Sequence, residues 1–424
     1  MIIYEALTLN IMRNINGVKL KKYEELLNNG AFCIMPWVHV HGLPSGETKA
    51  CCLIDDKYIT GSYRNLNTSS IAEVLNSEAH KALRVKMLNG EKDQSCRVCF
   101  DRTKTFRTYA NGLFDQDLMK DLIENHTHID GTIDKIDLKY IDIRFSNLCN
   151  LKCRTCYEDL SSSWHEENVA ANGPNGRPKF VSTDSFGKLE QHLPSVERIY
   201  VAGGEPLMSP DHYKILDWLI ANDRTNIELV YNTNLSFITY KSKSLIDYWK
   251  HFPKLTIAAS IDGMGAEVEY VRTNIDWEVY RKNFETVKAA GIKIYPGLTI
   301  SIMNASHLID FIRYCIENDW ISQEVSSNIN FVDYPQYFCI RNFPQWYKDE
   351  LTKKYLELKD WLNSKGYEIY STNIDMVLTY ISSPGDITLL EKGFDRLDYY
   401  DKLNKTNWKL SLPGLAEFYT RHKS

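Results

Sequence analysis

Between residues 136 and 340 the chain repeats one unit, a short apolar run rich in β-branched and aromatic residues followed by a stretch of helical period. The runs are KYIDIRFS (139–146), VERIYVA (196–202), IELVYNT (227–233), KLTIAAS (254–260), GLTISIM (297–303) and INFVDY (329–334). Parallel strands require long crossover connections, and helices placed between the runs supply them. The pattern therefore predicts an α/β fold, a partial (β/α)6 TIM-like barrel, with a doubly wound sheet as the less favoured arrangement. One connecting helix is predicted to open at Ser209, with Pro210 in its first turn and Ile215, Leu216, Leu219 and Ile220 along one face. Another, 276–291, ends on Gly291, a residue suited to a left-handed position past a helix end.

The flanking sequence differs. Residues 1–110 read as a short-stranded, cysteine-bearing module, and the polar stretch ENHTHIDGTIDK (124–135) closes a linker over 111–135. After the 136–340 core, a C-terminal helical extension (341–424) opens with a helix over 346–366 and continues irregularly to the end. The length of 424 residues suits about two or three domains. A formal net charge of −5 and the lack of a basic stripe argue against a nucleic-acid partner, and KLKK (19–22) reads as a solvated helix face. The N-terminal stretch lacks the apolar core of a secretory signal, and no run reaches the roughly 18 apolar residues that span a bilayer. No membrane partner and a cytoplasmic location are expected. In a reducing compartment the ten cysteines are then expected as metal ligands, redox groups or buried thiols rather than disulfides.

Three of those cysteines fall within NLCNLKCRTCYEDL (147–160), directly after the first predicted strand, spaced C-x3-C-x2-C. Structural zinc takes four ligands. Three thiolates on a four-iron cluster leave one iron open to another group. Zinc completed by a distant ligand, or unliganded buried thiols, are the alternatives. Other polar or glycine-rich clusters also fall at predicted strand ends: GGEP (203–206), NTN (232–234), SIDG (260–263) and SIMN (301–304). The C-terminal ends of strands are where a parallel barrel collects its working residues. Gly203 and Gly204 would let backbone carbonyls approach an ammonium closely, Glu205 adds acceptor oxygens and Pro206 stiffens the turn. Asn232, Asn234, Ser260 and Asp262 offer partners for ribose or substrate, with Ser301 and Asn304 weaker candidates.

Cys149, Cys153 and Cys156 resemble the CxxxCxxC motif of radical S-adenosylmethionine (radical SAM) enzymes, and the resemblance extends over about 138–336 with the motifs in the family's order. It implies a [4Fe-4S] cluster on these three cysteines whose open iron chelates SAM. It further implies that Gly203, Gly204, Glu205 and Pro206 hold the methionine amino group. Arg272, in EYVRTN, resembles the arginine that meets the SAM carboxylate. The chain departs from the family at Thr155, where an aromatic residue commonly precedes the last cysteine; here Tyr157 follows it. The implied chemistry is one-electron cleavage of SAM to methionine and a 5′-deoxyadenosyl radical, which takes a hydrogen atom from the substrate. The implied electron donor is a flavodoxin- or ferredoxin-like protein.

A second set of cysteines lies in AFCIMPWVHVHGLPSGETKACCLIDD (31–56) and near 96. Cys96 and Cys99 form a C-x2-C pair, which Cys33 and either Cys51 or Cys52 would complete to four. Cys51 is favoured. Zinc and iron–sulfur clusters share this spacing. The arrangement resembles the SPASM or twitch auxiliary-cluster modules of radical SAM maturases, although in most of that family the module follows the barrel. The resemblance implies an auxiliary iron–sulfur cluster and a peptide or protein side chain as substrate, with a small molecule as the alternative. A non-catalytic zinc protein and a two-cluster electron carrier are the readings from other classes. His39 and His41 are expected to be packed or surface residues, and Cys315 and Cys339 to be buried thiols.

Overall fold

A computed structural model of the chain describes residues 22–100, 106–172, 186–323 and 329–424. Most of the KLKK run and the N-terminal stretch before it lie outside the described residues. The chain forms two compact units, one of Met1–Ser146, Val181–Gly203 and Ser209–Leu229, the other of Asn147–Phe180, Gly204–Met208 and Val230–Ser424.

The first unit holds β1 (His39–Gly42), β2 (Thr48–Lys49), β3 (Tyr140–Arg144), β4 (Arg198–Ala202) and the start of β5 (Glu228–Thr233). β1 runs antiparallel to β2 and parallel to β3, and β3 runs parallel to β4. Alternation sends Ile141, Ile143, Ile199 and Val201 to one buried face of β3 and β4. The longer helices are α1 (Glu78–Asn89), α2 (Gln116–His126) and α3 (Pro210–Ala221). This part of the chain is more helical than the short-stranded reading of residues 1–110. Ser70 and Glu73 form a reciprocal capping box, Ser77 caps α1, and Gly90 closes α1 in the left-handed region. The stretch read as a linker contains α2, whose Met119, Leu122 and Ile123 are buried. α3 begins at Pro210 as expected, but the Ser209 hydroxyl makes no capping bond.

His39 and His41 are packed, as expected of them. His41 Nδ1 lies 2.8 Å from Asp142 Oδ2, whose other oxygen accepts from Arg144. Burial pushes His39 down to about 4, so it stays neutral beside the Tyr140 carbonyl.

The second unit carries β6 (Leu255–Ser260), β7 (Lys293–Ile300) and β8 (Ile329–Phe331), with β6 parallel to β7 and β7 parallel to β8. Within the first unit the strand order is β4-β3-β1-β2, and within the second it is β8-β7-β6. This is the parallel α/β class read from the sequence. β7 starts earlier than GLTISIM and stops at Ile300, because the Asn304 side chain accepts the Ser301 amide at 2.8 Å and turns the chain. Its helices are α4 (Trp277–Ala289), α5 (His307–Glu317), α6 (Gln345–Ser364), α7 (Glu368–Ser382), α8 (Ile387–Asn404) and α9 (Pro413–Lys423). Asp276 caps α4 by accepting the Val279 amide at 2.9 Å. Cys315 and Cys339 are buried.

The tail after 366 is helical rather than irregular. Tyr370, Ile374, Val377 and Ile381 follow helical spacing and are buried, but exposed Ile369 and Met376 blur the apolar stripe in the sequence. Aromatic stacking then joins the tail helices, with Phe394 and Trp408 at 5.6 Å and Trp346 and Phe418 at 5.4 Å between ring centroids. No helix among the described residues is long and apolar enough to cross a membrane.

Arg84 of α1 is fully buried and donates to the carbonyls of Gly131 (2.6 Å), Pro36 (2.8 Å) and Leu75 (2.6 Å). Replacing it with leucine strands these three carbonyls, each costing about 1 kcal/mol, while Asn76 Oδ1, its fourth acceptor at 3.2 Å, keeps the Ile133 amide. Denaturant unfolding of Arg84→Leu should show a loss of about 3 kcal/mol with an unchanged denaturant slope.

Candidate active site

The cysteine loop after β3 is bound by its own neighbours. The Cys149 amide donates to Ser162 Oγ at 3.2 Å and the Ser163 hydroxyl donates to the Cys149 carbonyl at 2.6 Å. Ser161 caps the Leu151 carbonyl at 2.7 Å, and the Cys156 amide donates to the Cys153 carbonyl at 2.9 Å. Lys152–Cys153 pairs antiparallel with Arg272–Thr273, so Cys153 stands in register with Arg272. Burial pushes the Cys149 thiol up to about 12 and also raises Cys156, and in each case a neighbouring cysteine of the loop adds to the rise. Cys153 is raised by burial too, while the Arg272 charge opposes it. Cys153 acts on both Cys149 and Cys156, so the three thiols of the loop lie within electrostatic reach of one another. Burial keeps them protonated until a cation displaces the protons, the behaviour of a metal-ligand set. The donor chemistry fits an iron–sulfur cluster.

The GGEP turn lies directly on this loop. A Cβ on Gly204 would sit 2.4 Å from the Leu148 carbonyl oxygen, and one on Gly203 would sit 2.9 Å from that of Ser146. Gly203 also has a φ of +141°, open chiefly to glycine. The Glu205 amide donates to the Leu148 carbonyl at 2.7 Å. The buried Glu205 carboxylate accepts from the Thr233 hydroxyl (2.7 Å), the Asn234 amide (2.7 Å) and the Leu207 amide (3.1 Å). Pro206 is buried and opens the short turn that follows. Asn234, in turn, donates through Nδ2 to Asn150 at 2.9 Å and lies 4.0 Å from Cys149 Sγ. Asn232 stands half-buried on β5 and Ser260 half-buried at the end of β6.

Asp262 and Arg272, which the sequence offers as separate motifs, are paired. Arg272 Nε and Nη2 donate to the two Asp262 oxygens at 2.8 and 3.0 Å, a buried bidentate contact. Asp262 Oδ1 also accepts the Thr299 amide at 3.0 Å, and Asn304 donates to the Asp262 carbonyl at 2.8 Å. Ser301 and Asn304 thus brace the SIDG turn. Thr233 has no sequence signal for its part in this network beyond its place inside a polar cluster.

In the first unit, Cys33, Cys51, Cys96 and Cys99 line one cavity together with Met35, Leu83, Met87 and Arg107. Cys52 is exposed and does not line it. Burial pushes Cys33 and Cys96 up to about 12, with Arg107 acting against the rise in both. Cys96 ends a short turn capped by Asp93, which accepts from Ser95 and pairs with Lys86 at 2.6 Å. Nothing in the sequence around Arg107 marks it as a neighbour of these thiols. Among the described residues no three His, Cys, Asp or Glu side chains close around a single metal ion.

Residues 143–315 match the model of the Radical SAM superfamily, and residues 33–100 match that of the SPASM iron-sulfur cluster-binding domain. The chain thus carries a radical SAM domain over 143–315 and a SPASM domain over 33–100. Its SPASM domain precedes the radical SAM core, the reverse of the commoner order. The sporulation killing factor maturation protein SkfB of Bacillus subtilis (strain 168) is 21% identical over 291 residues, covering 66% of this chain and 63% of SkfB. The chain therefore spans less than two thirds of that relative's length. Among solved structures, Streptococcus suis SuiB bound to precursor peptide SuiA aligns at 15% identity and a TM-score of 0.39, over 68% of this chain and 63% of SuiB. Native anSMEcpe with bound AdoMet and Cp18Cys peptide aligns at 15% identity and a TM-score of 0.37, over 53% and 60% of the two chains.

Burial holds Glu205 up at about 7 despite its three donors. Its folded form therefore favours the protonated carboxyl, and its contribution to stability falls as pH rises from about 4.5 to about 7 and is level above that. In urea unfolding, the stability of Glu205→Gln relative to this radical SAM protein's wild type should rise across that window and then plateau. A difference independent of pH would contradict the assignment.

Proposed function

We propose that this chain is an enzyme that cleaves S-adenosylmethionine reductively at a [4Fe-4S] cluster held by Cys149, Cys153 and Cys156, the bound pair supplying a 5′-deoxyadenosyl radical that abstracts hydrogen from a peptide substrate. The observation that carries this reading is the seating of the GGEP turn on the cysteine loop, with the Leu148 carbonyl accepting the Glu205 amide at 2.7 Å. In this reading the backbone of Gly203 and Gly204 receives the amino group of SAM.

The remaining residues orient and brace. Pro206 limits the turn, and Glu205 ties it to Thr233 and Asn234. We assign Asn232 and Ser260 to the nucleoside. Asp262 and Arg272 act as one unit, the carboxylate aiming the guanidinium toward the SAM carboxylate. The protein's main contribution is positional, because a radical formed beside its target carbon needs only correct distance and exclusion of water.

Cys33, Cys51, Cys96 and Cys99 hold an auxiliary iron–sulfur cluster in this proposal, within a module over 1–110 that precedes the core at 136–340, with the extension at 341–424. The SkfB relative, named as a maturation protein for the sporulation killing factor, supports a peptide substrate. A flavodoxin- or ferredoxin-like protein donates the electron.

Anaerobic protein given dithionite and SAM should yield 5′-deoxyadenosine, and Cys153→Ala should yield none; product in both or in neither contradicts the proposal. Because Cys51 lines the cavity and Cys52 does not, iron analysis should find a full cluster's worth of iron missing from Cys51→Ala and wild-type iron in Cys52→Ala.

A further inference from the structure

Arg154 immediately follows the ligand Cys153, and its side chain is 0% exposed. Among the described residues none of its three guanidinium nitrogens has a hydrogen-bond partner. The group lies between two rings instead, 4.6 Å from the Tyr400 centroid and 5.2 Å from that of Tyr270. Its backbone is fixed as well, the amide donating to the Val271 carbonyl at 2.8 Å.

The two rings do not account for such a burial. A ring face offers a buried cation no formal counter-charge and leaves its N–H donors without acceptors. The Tyr400 ring is also shared, with the Arg396 guanidinium 4.7 Å from the same centroid. Arg272, the other cation acting on Cys153, is neutralised by its bidentate bond to Asp262. Arg154 has no ion pair among the described residues; Asp401 and Asp398 act on the adjoining Tyr270 ring but are engaged by Tyr270 and Trp408, and the nearest candidate for a counter-charge is the cysteine loop from which Arg154 projects. A four-iron cluster on three thiolates is a net anion.

The geometry also explains how the cation is kept in place. Tyr400 belongs to α8, in the C-terminal extension, and Tyr270 donates to Asp401 of the same helix at 2.9 Å. Lys152, on the other side of Cys153, donates to Asn404 of α8 at 3.1 Å and to Glu167 at 2.6 Å. Both cations flanking Cys153 are therefore gripped by one helix that lies beyond the matched radical SAM region.

We propose that Arg154, clamped between Tyr270 and Tyr400, is a positioning residue whose unpaired charge raises the reduction potential of the cluster on Cys149, Cys153 and Cys156, and that the C-terminal extension serves to hold it there. This rests on the cluster assignment of the preceding section. The cation favours the more negative, reduced state, so electron uptake becomes easier without any change in ligands.

The test is a redox titration of the full-length, anaerobically loaded protein, following by electron paramagnetic resonance the iron signal that SAM addition alters. Arg154→Gln should keep its iron but show a ratio of reduced to oxidised cluster about tenfold lower at a fixed potential, equivalent to a shift of ~59 mV for one electron. Arg154→Lys, which keeps the charge, should titrate close to wild type. Glutamine protein with full iron and a wild-type titration overturns the proposal. Should Arg154→Gln fail to retain iron, the lysine variant decides alone: retained iron with a wild-type titration supports the proposal, and lost iron or a tenfold shift overturns it. Wild-type protein without any SAM-responsive iron signal would instead remove the cluster assignment itself.

Discussion

The carbonyl of Leu148 accepts the amide of Glu205 at 2.7 Å, and the candidate site depends on two backbones meeting that closely. Only glycine permits it, since a side chain at 204 would collide with Leu148 oxygen. Once the turn is seated, the Glu205 carboxylate reaches Thr233 and the Asn234 amide, and the Asn234 side chain returns to Asn150 on the cysteine loop. Three strand-end segments become one closed circuit around Cys149. The cost is a buried carboxyl held up at about 7, tolerated because three donors surround it.

A second circuit encloses Cys153. Its partner strand carries Arg272, Arg272 is locked to Asp262, and Asp262 is locked to Thr299 and Asn304. The two circuits share the cysteine loop and otherwise use different side chains. Cys149 is thus placed through neutral and carboxylate hydrogen bonds, Cys153 through a salt bridge and strand pairing. Cys156 follows from local turn geometry, by its amide on the Cys153 carbonyl.

Much of this is legible in the sequence. The apolar runs that define β3 to β8 are contiguous, and the cysteine, GGEP and SIDG clusters are local motifs whose strand-end placement can be read from the alternation alone. What was not legible depends on tertiary contact. Nothing adjacent to Asp262 announces that its partner is Arg272 ten residues on, and Thr233 looks like filler between two asparagines until Glu205 arrives. The first tail helix is legible in the sequence, but those after residue 366 are not, because apolar residues on their exposed faces, Ile369 and Met376 among them, hide the periodicity. The adjacent pair Cys51 and Cys52 could be divided only by seeing which lines the cavity. Arg154 had no signal at all, since an arginine inside a polar loop normally reads as solvated.

The central claim is that three thiolates leave one iron of the cluster free to hold SAM directly. Electron–nuclear double resonance on the reduced protein, with SAM labelled at its amino nitrogen, measures that contact. The account predicts a coupling between the cluster spin and the labelled nitrogen that disappears with unlabelled SAM. A cluster signal with no such coupling at saturating SAM would contradict it.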